Sequence, residues 1–265
     1  MPQPAIFAVR EEPGPDLPPD VHPTPELAVL VPTRNEAPNI EELLRRISAA
    51  VAGIPTDVVF VDDSDDDTPE VIRALAGRYG DSCRVSLIHR QGAQRTGGLG
   101  GAVVEGLRAA GAPWACVLDA DLQHPPEVIP ALLAAAERDR ADLVIASRYC
   151  GRGRADGLGP VRAVISTGCG SAARLLFPLR LRGVTDPMSG FFLVRRSAVD
   201  PDGLRPRGFK ILLEVLVRSR GLRTTEVGYN FAGRYAGTSK GSLREGLTYA
   251  TSLGMLRLGR APWHT

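Results

Sequence analysis

The chain has 265 residues, 43% of them hydrophobic, and its 32 basic against 30 acidic side chains leave a net charge of +2, so the mean charge points to no partner class and only local clusters can. Four cysteines (Cys83, Cys116, Cys150, Cys169) without C-x-x-C spacing argue against a disulfide frame or a zinc site. No apolar run reaches the ~18 residues of a spanning helix, which predicts a cytoplasmic protein that does not cross a membrane by itself.

Residues 1–26 carry eight prolines and predict a disordered lead-in, because Pro can neither donate to a ladder nor continue a helix. From Leu27 the pattern becomes regular. The runs "LAVLV", "DVVFV", "VSLI", "WACVL" and "DLVIA" are short and apolar throughout, as expected of strands buried on both faces. Between them, "NIEELLRRISAAV", "TPEVIRALAGRY", "GLGGAVVEGLRAAG" and "PPEVIPALLAAAERD" have helical spacing, with Thr68-Pro69 and Pro125-Pro126 opening two of them. This alternation predicts an α/β fold, a mainly parallel sheet flanked by helices. After Tyr149 the rhythm gives way to a Gly/Arg loop, an amphipathic stretch, a short "GFFLVRR" strand and helices near Ile211–Ser219 and Ser242–Arg260. The expected division is a lead-in over 1–26, one catalytic-size domain over 27–240 and a C-terminal amphipathic helix with its tail over 241–265.

In such sheets ligands bind beyond the carboxyl ends of the strands, so the residues after each run carry the chemistry. Pro32, Thr33, Arg34, Asn35 and Glu36 follow the first, Asp62, Asp63, Ser64, Asp65, Asp66 and Asp67 the second, and "DADLQHPPE" the fourth. A dinucleotide fingerprint would follow the first strand; the Gly-rich "TGGLGG" follows the third and has Val103 in place of the last glycine, and no P-loop is present. Asp119 and Asp121 would share one side of an extended chain, with Gln123 continuing it. Three oxygen donors suit Mg2+ or Mn2+, ions that share their coordination with substrate phosphates. The plainer reading is that Asp121 and Gln123 cap the helix opening at Pro125.

Taken in order, "VPTRNEAPNI", "VDDSDDDTPEVI", "GLGGAVVEGL", "DADLQHPPE", "ASRY", "TDPMSGFFLVRR", "RGFKILLEVL" and "GRYAGTSK" resemble the family 2 glycosyltransferases, in particular those making polyprenol- or dolichol-phosphate mannose. The resemblance runs from Leu27 to the C-terminal helix. It implies a GT-A fold and a nucleotide-sugar donor touched by Pro32, Arg34, Glu36, Val61, Asp63, Asp119 and Ala120, with Arg234 and Lys240 on the donor side. Asp119, Asp121 and Gln123 would hold the metal. Arg148, Arg162 and Ser166 would hold the phosphate of a polyprenyl-phosphate acceptor. Arg34 departs from the pattern, standing where these enzymes usually have Tyr.

Arginine's fork and lysine's mobile charge together suit a phosphate monoester and a departing diphosphate. Such an acceptor already carries its attacking oxyanion, so catalysis reduces to positioning and charge stabilisation, with Asp121, Arg148 and Asp186 as the expected catalytic residues and a single inverting displacement. Asp186 is open to three readings: a base for a hydroxyl acceptor, a holder of sugar hydroxyls, or a turn before Pro187. Lys210 and Glu214, four apart, could form an intrahelical ion pair. His124 is expected to support its neighbours rather than bind metal.

The expected activity is transfer of a hexose, mannose from GDP-mannose first, to a polyprenyl phosphate. The alternatives are a UDP-glucose-type donor, a hydroxyl acceptor, or a silent nucleotide-sugar-binding subunit. Nucleic acid is not an expected partner, because the arginines lie beside acidic strand ends. A lipid acceptor requires a membrane surface, and Val161–Arg182 mixes Val161, Ile165, Leu175 and Leu176 with Arg162, Arg174, Arg180 and Arg182 as a peripheral, interfacial helix would on the cytoplasmic face. The chain would work as a minimal form or with a separate membrane-anchoring protein.

Overall fold

A computed structural model describes residues 24–79, 83–151, 153–155, 160–206, 210–233 and 235, and of 160–166 the helical backbone alone. The Pro-rich residues 1–23 and the stretch 236–265, with its expected helix, lie outside the described residues.

Seven strands form one sheet: β1 (Leu27–Thr33), β2 (Thr56–Asp62), β3 (Cys83–His89), β4 (Trp114–Val117), β5 (Leu143–Ser147), β6 (Phe192–Arg195) and β7 (Thr224–Gly228), in the order β3-β2-β1-β4-β6-β5-β7. Pairing is parallel except at β6, which runs antiparallel to both β4 and β5. The five apolar runs and "GFFLVRR" are all strands. β7 was not legible: "TTEVG" is half-buried, at the sheet's edge, and carries no apolar run.

The sheet separates two cores because its strands are apolar on both faces. On one side α1 (Ala37–Ala50), α2 (Thr68–Ala76) and α4 (Ile129–Arg138) bury Ile40, Leu43, Ile72 and Leu132 against Val29, Phe60 and Cys116. On the other, α3 (Gly98–Ala109), α5 (Pro160–Leu176) and α6 (Ile211–Arg218) bury Val103, Leu107, Ala173 and Leu212 against Leu30, Val61 and Val194. Gly101 shows what "TGGLGG" is for: a Cβ there would lie 2.0 Å from the Thr96 carbonyl oxygen, so the helix enters this tightly only with glycine. None of the four cysteines forms a disulfide; Cys83 and Cys116 are buried, and Cys150 and Cys169 half-buried.

Strand order reverses between β1 and β4, and the crevice in which open α/β sheets bind ligands is expected beyond the carboxyl ends at such a point. The motifs after β1, β2 and β4 therefore stand side by side.

Candidate active site

The first wall is built by sheet register. Pro32 pairs with Val61 and Thr33 with Asp62, so the β1 and β2 tips end level. Asp62 is fully buried and satisfied: Thr33 Oγ1 donates to it at 2.7 Å, the Ser64 N–H at 3.2 Å, and His89 Nδ1 lies 2.7 Å away. The Ser64 hydroxyl also donates to it. Asn35 takes a left-handed turn (φ 54°), its N–H donating to Ser64 Oγ at 2.7 Å while its side chain accepts from the Asp65 N–H at 2.9 Å. Glu36 is positioned by its N–H donating to Thr68 Oγ1 at 3.0 Å and by Asn39 Nδ2 donating to its carboxylate at 2.6 Å. Arg34 is exposed at the rim.

Asp63 is held by a residue that sequence reading passed over. Arg90, only 2% exposed, donates Nε and Nη2 to the two Asp63 oxygens at 2.8 and 2.7 Å, and Nη2 also reaches the Gly98 carbonyl at 2.9 Å. Its one sequence signal was its place two residues after the third apolar run; register then sets it beside the β2 tip.

The D-x-D segment corrects the extended-chain argument. β4 ends at Val117, and residues 120–124 form a turn in which Leu122 takes φ 62°. A turn forms because Asp121 Oδ1 accepts the Gln123 N–H at 3.1 Å, the local bond that lets Asp compete with strand pairing. Strand alternation thus does not place Asp119, Asp121 and Gln123. The bond also disposes of the capping reading, since α4 begins only at Ile129, after a short 3-10 turn at Pro126–Val128. Asp121 and Gln123 are buried and Asp119 is half-exposed.

The donor types of these residues are those a hard cation takes. Gln123 Nε2 donates to the Ala232 carbonyl at 3.3 Å, which turns Oε1 away from Ala232, so the donor set is two carboxylates and an amide oxygen. Among the described residues no group of three or more His, Cys, Asp or Glu side chains is placed to hold a metal ion by itself. Gly190 keeps the place open, since a Cβ there would lie 3.2 Å from Asp119 Oδ2 and 3.0 Å from His124 Cε1.

His124 is buried among Phe191, Tyr229 and Phe231, with centroids 5.4 to 6.1 Å away. Burial lowers its pKa to about 4, against the pull of Asp121. The Asp119 N–H donates to Nδ1 at 3.0 Å, so the proton sits on Nε2 and the 3.5 Å approach of Asp119 Oδ2 to Nδ1 is not an ion pair. His124 thus supports the turn that carries Asp119, as expected.

The opposite wall centres on Arg148, just past β5. Arg148 Nε and Nη2 donate to the Asp186 carboxylate at 2.8 Å each, and the Arg148 N–H donates to Asp186 Oδ2 at 3.2 Å. Both residues are buried. Burial opposes the guanidinium charge, but the Asp186 bonds outweigh it and the pKa rises. The Arg148 plane also lies 5.3 Å from the Tyr149 ring and 5.6 Å from that of Phe231. Lys210 reaches toward the same wall, its Nζ 3.5 Å from the Met188 carbonyl oxygen. Burial and the nearby Arg148 charge lower its pKa to about 8. Glu214 accepts from Arg218 Nε at 2.7 Å and from the Arg205 N–H. A cavity of about 510 Å³ opens beside Asp186, between α5 and residues 181–188, lined among others by Tyr149, Arg174, Thr185 and Met188.

Pro32 and Val61 stand at the adjoining β1 and β2 tips, and Ala120 is buried in the turn. Arg162 and Ser166 fall within α5, but their side chains, like Arg234 and Lys240 altogether, are outside the described residues. The amphipathic stretch is corrected in part: Leu176 packs against the α3/α6 core, while Leu175 and Leu179 are 82% and 90% exposed. Arg174 is tied inward, donating to the Thr185 carbonyl at 2.9 Å. The side chains of Val161 and Ile165 lie outside the described residues.

The comparisons with known proteins agree with this architecture. The family model described as glycosyl transferase family 2 matches residues 28–201. A dolichol-phosphate mannosyltransferase from Pyrococcus furiosus is 39% identical over 216 residues, 81% of this chain, and this chain spans 59% of that protein's length. Namesakes from Mycosarcoma maydis and Saccharomyces cerevisiae are 36% and 34% identical, the matches covering 82% and 81% of this chain and 74% and 80% of theirs. Among solved structures, glucosyl-3-phosphoglycerate synthase from Mycobacterium tuberculosis in complex with Mn2+, UDP and glucosyl-3-phosphoglycerate has a TM-score of 0.63 at 19% identity, covering 90% of this chain and 81% of that one. Mannosyl-3-phosphoglycerate synthase from Rubrobacter xylanophilus has a TM-score of 0.63 at 20% identity, covering 90% and 76%. At such identity these two speak for the fold alone. The family model and the mannosyltransferase relatives together place this chain in glycosyl transferase family 2, with the GT-A fold of that family.

Proposed function

We propose that the protein transfers a hexose, mannose from GDP-mannose first among the candidates, to the phosphate of a polyprenyl or dolichyl phosphate, with inversion and with a divalent cation. The observation that carries the reading is the opposition of two charge types across one crevice: Asp119, Asp121 and Gln123 on the β4 side and the buried Arg148–Asp186 pair on the β5 side. One wall suits a metal-bridged diphosphate and the other a phosphate monoester, and the relatives named for transfer to dolichol phosphate narrow the acceptor class.

Each residue then has a role. Pro32, Val61 and Ala120 shape the donor's bed, Asp63 is presented by Arg90, and Arg34 and Glu36 line the loop after β1. Asp119, Asp121 and Gln123 would hold Mg2+ or Mn2+, which when bound neutralises the charge developing on the departing diphosphate. Arg148, with Arg162 and Ser166, receives the acceptor phosphate, and Arg234 with Lys240 serves the donor side. Asp186 holds Arg148 rather than taking a proton: three donors from Arg148 occupy its carboxylate, and a phosphate oxyanion needs no base. The membrane enters through Leu175 and Leu179, which project from α5 and the residues after it beside the exposed Arg180 and Arg182. Among the described residues no helix is long and apolar enough to span a bilayer, so a peripheral contact or a separate anchoring protein would bring the site to its lipid.

The test offers GDP-mannose, UDP-glucose and other nucleotide-sugars, each with Mg2+ or Mn2+, to polyprenyl phosphate and to the matching polyprenol. Sugar should appear on the phosphate and not on the alcohol, and stop on chelation. Equal transfer to the alcohol would move the reading to a hydroxyl acceptor; donor binding without transfer would leave a binding subunit.

A further inference from the structure

Arg148 is held in place by a chain of bonds that begins outside the crevice, on the edge strand β7. Glu226 stands opposite Ile145 in the β5–β7 register and shares its face of the sheet, the face covered by α5 and residues 181–188. Its Oε1 accepts the N–H groups of both Thr185 and Asp186, at 2.9 and 3.2 Å, and its Oε2 accepts the Thr185 hydroxyl at 2.6 Å. Three donors from two consecutive residues converge on one carboxylate of a third segment.

The proton positions follow. A carboxylate only accepts, so Thr185 Oγ1 spends its hydrogen on Glu226 and must accept from the Ser147 hydroxyl, 2.6 Å away. Ser147 Oγ in turn accepts the Tyr149 N–H at 3.1 Å. The peptides on both sides of Arg148 are thereby tied, one through Ser147 and one through Asp186, whose carboxylate binds the Arg148 N–H and guanidinium. The whole relay has one fixed direction, set by the charge of Glu226.

We propose that Glu226 is a positioning residue for Arg148, fixing through Thr185 and Asp186 the orientation in which the guanidinium faces the crevice. Glu226 touches no substrate; its effect passes through the peptide of Asp186. A fork that recognises phosphate needs such support, because small errors in its plane lose one of its two bonds. The inference rests on the proposed phosphate-acceptor reading for its kinetic consequence and on geometry alone for its structural one.

Two measurements separate the two. Glu226→Gln keeps the size but replaces one accepting oxygen by an NH2 group, so either the two N–H bonds are lost or the hydroxyl bond reverses, and in both cases the charge that sets the relay's direction is gone. Amide hydrogen exchange in the folded variant should accelerate at Asp186 and Arg148 while β1 and β2 amides keep their wild-type protection. Unchanged protection at Arg148 overturns the proposal whatever the enzyme's substrate. With active wild-type enzyme, acceptor kcat/KM should fall about tenfold while donor KM stays within about twofold, and Arg148→Lys combined with Glu226→Gln should cost little more than Arg148→Lys alone. Fully additive losses would also overturn it. Should Glu226→Gln fail to fold, Thr185→Val cuts the same relay at its hydroxyl and Thr185→Ser restores it; equal exchange at Arg148 in both variants would count against the relay. A wild type without turnover on any donor would fault the functional reading and leave the exchange result standing.

Discussion

The two walls of the crevice fix their charges by different means. On the β1–β2 wall the buried carboxylates are satisfied from adjacent strand tips: Asp63 by Arg90 and Asp62 by His89, each pair 27 residues apart and set by parallel register. On the β5 wall Arg148 meets Asp186 across 38 residues, and Asp186 meets Glu226 across 40, through a loop that no ladder constrains. Register makes the first wall a by-product of sheet formation. The second depends on particular polar bonds, so single substitutions there should alter function more selectively, and the experiments below sharpen or break that contrast.

The largest effect belongs to the turn between the walls. Asp121→Ala should remove a thousandfold or more of turnover, the several kcal/mol that metal and positioning terms supply together. Folding should survive, because the turn keeps backbone bonds that do not use the Asp121 side chain, from the Ala232 N–H to the Gln123 carbonyl and from the Tyr235 N–H to the Asp121 carbonyl. Turnover that persists in this variant and in EDTA would end the metal reading and with it the division of labour between the walls.

Asp186→Ala tests the β5 wall. It takes the carboxylate from a buried guanidinium, and breaking such a pair costs roughly 3–5 kcal/mol of stability. Asp63→Ala takes the same fork from Arg90 on the β2 side, although Arg90 keeps the Gly98 carbonyl and lies 3.6 Å from Glu105. If register alone sustains the first wall, Asp63→Ala should lower the melting temperature without raising acceptor KM, whereas Asp186→Ala should do both. Identical kinetic profiles would erase the contrast.

How much of this was legible follows the same line. Four of the five strands were readable because buried parallel strands are apolar throughout, and four of the helices because they show an apolar face; β3 was found from "VSLI" but is an edge strand with Arg84 and Ser86 exposed, not one buried on both faces. The strand-tip acids were readable because they directly follow those runs. Arg90 was not, since one arginine in a polar loop announces nothing until register sets it beside Asp63. The geometry of Asp119–Gln123 was misjudged because the Asp121 side chain captures the Gln123 N–H and ends the strand early. Glu226 and β7 stayed hidden because an edge strand of intermediate burial has no pattern to read. Leu176 was grouped with Leu175 although neighbours on a helix point apart, and only Leu175 reaches solvent.

That last correction yields a smaller effect on the membrane side. Leu175→Asp with Leu179→Asp should weaken flotation on anionic liposomes by about 2 kcal/mol or more, leaving the fold intact because both side chains are exposed. Leu176→Asp should unfold the protein instead. Undiminished, salt-insensitive flotation of the double variant would move membrane contact elsewhere.

The smallest effect concerns Lys210, where stability and function should part. Its folded pKa of about 8 lies below the ordinary value of 10.5, so between those two pH values the unfolded chain binds more protons than the folded one. Stability therefore rises with pH across that window, and below pH 8 the full cost of a buried charge remains, at most ~3 kcal/mol at 1.36 kcal/mol per unit. Lys210→Met removes that cost along with the contact to the Met188 carbonyl, for a net gain on the order of 1 kcal/mol at pH 7. Urea unfolding at pH 7 and pH 10 should show the variant ahead at the lower pH and level with wild type at the higher. If the cation beside Arg148 serves the proposed phosphate chemistry, turnover should fall as stability rises. A variant that gained stability and kept full turnover would show the charge to be incidental.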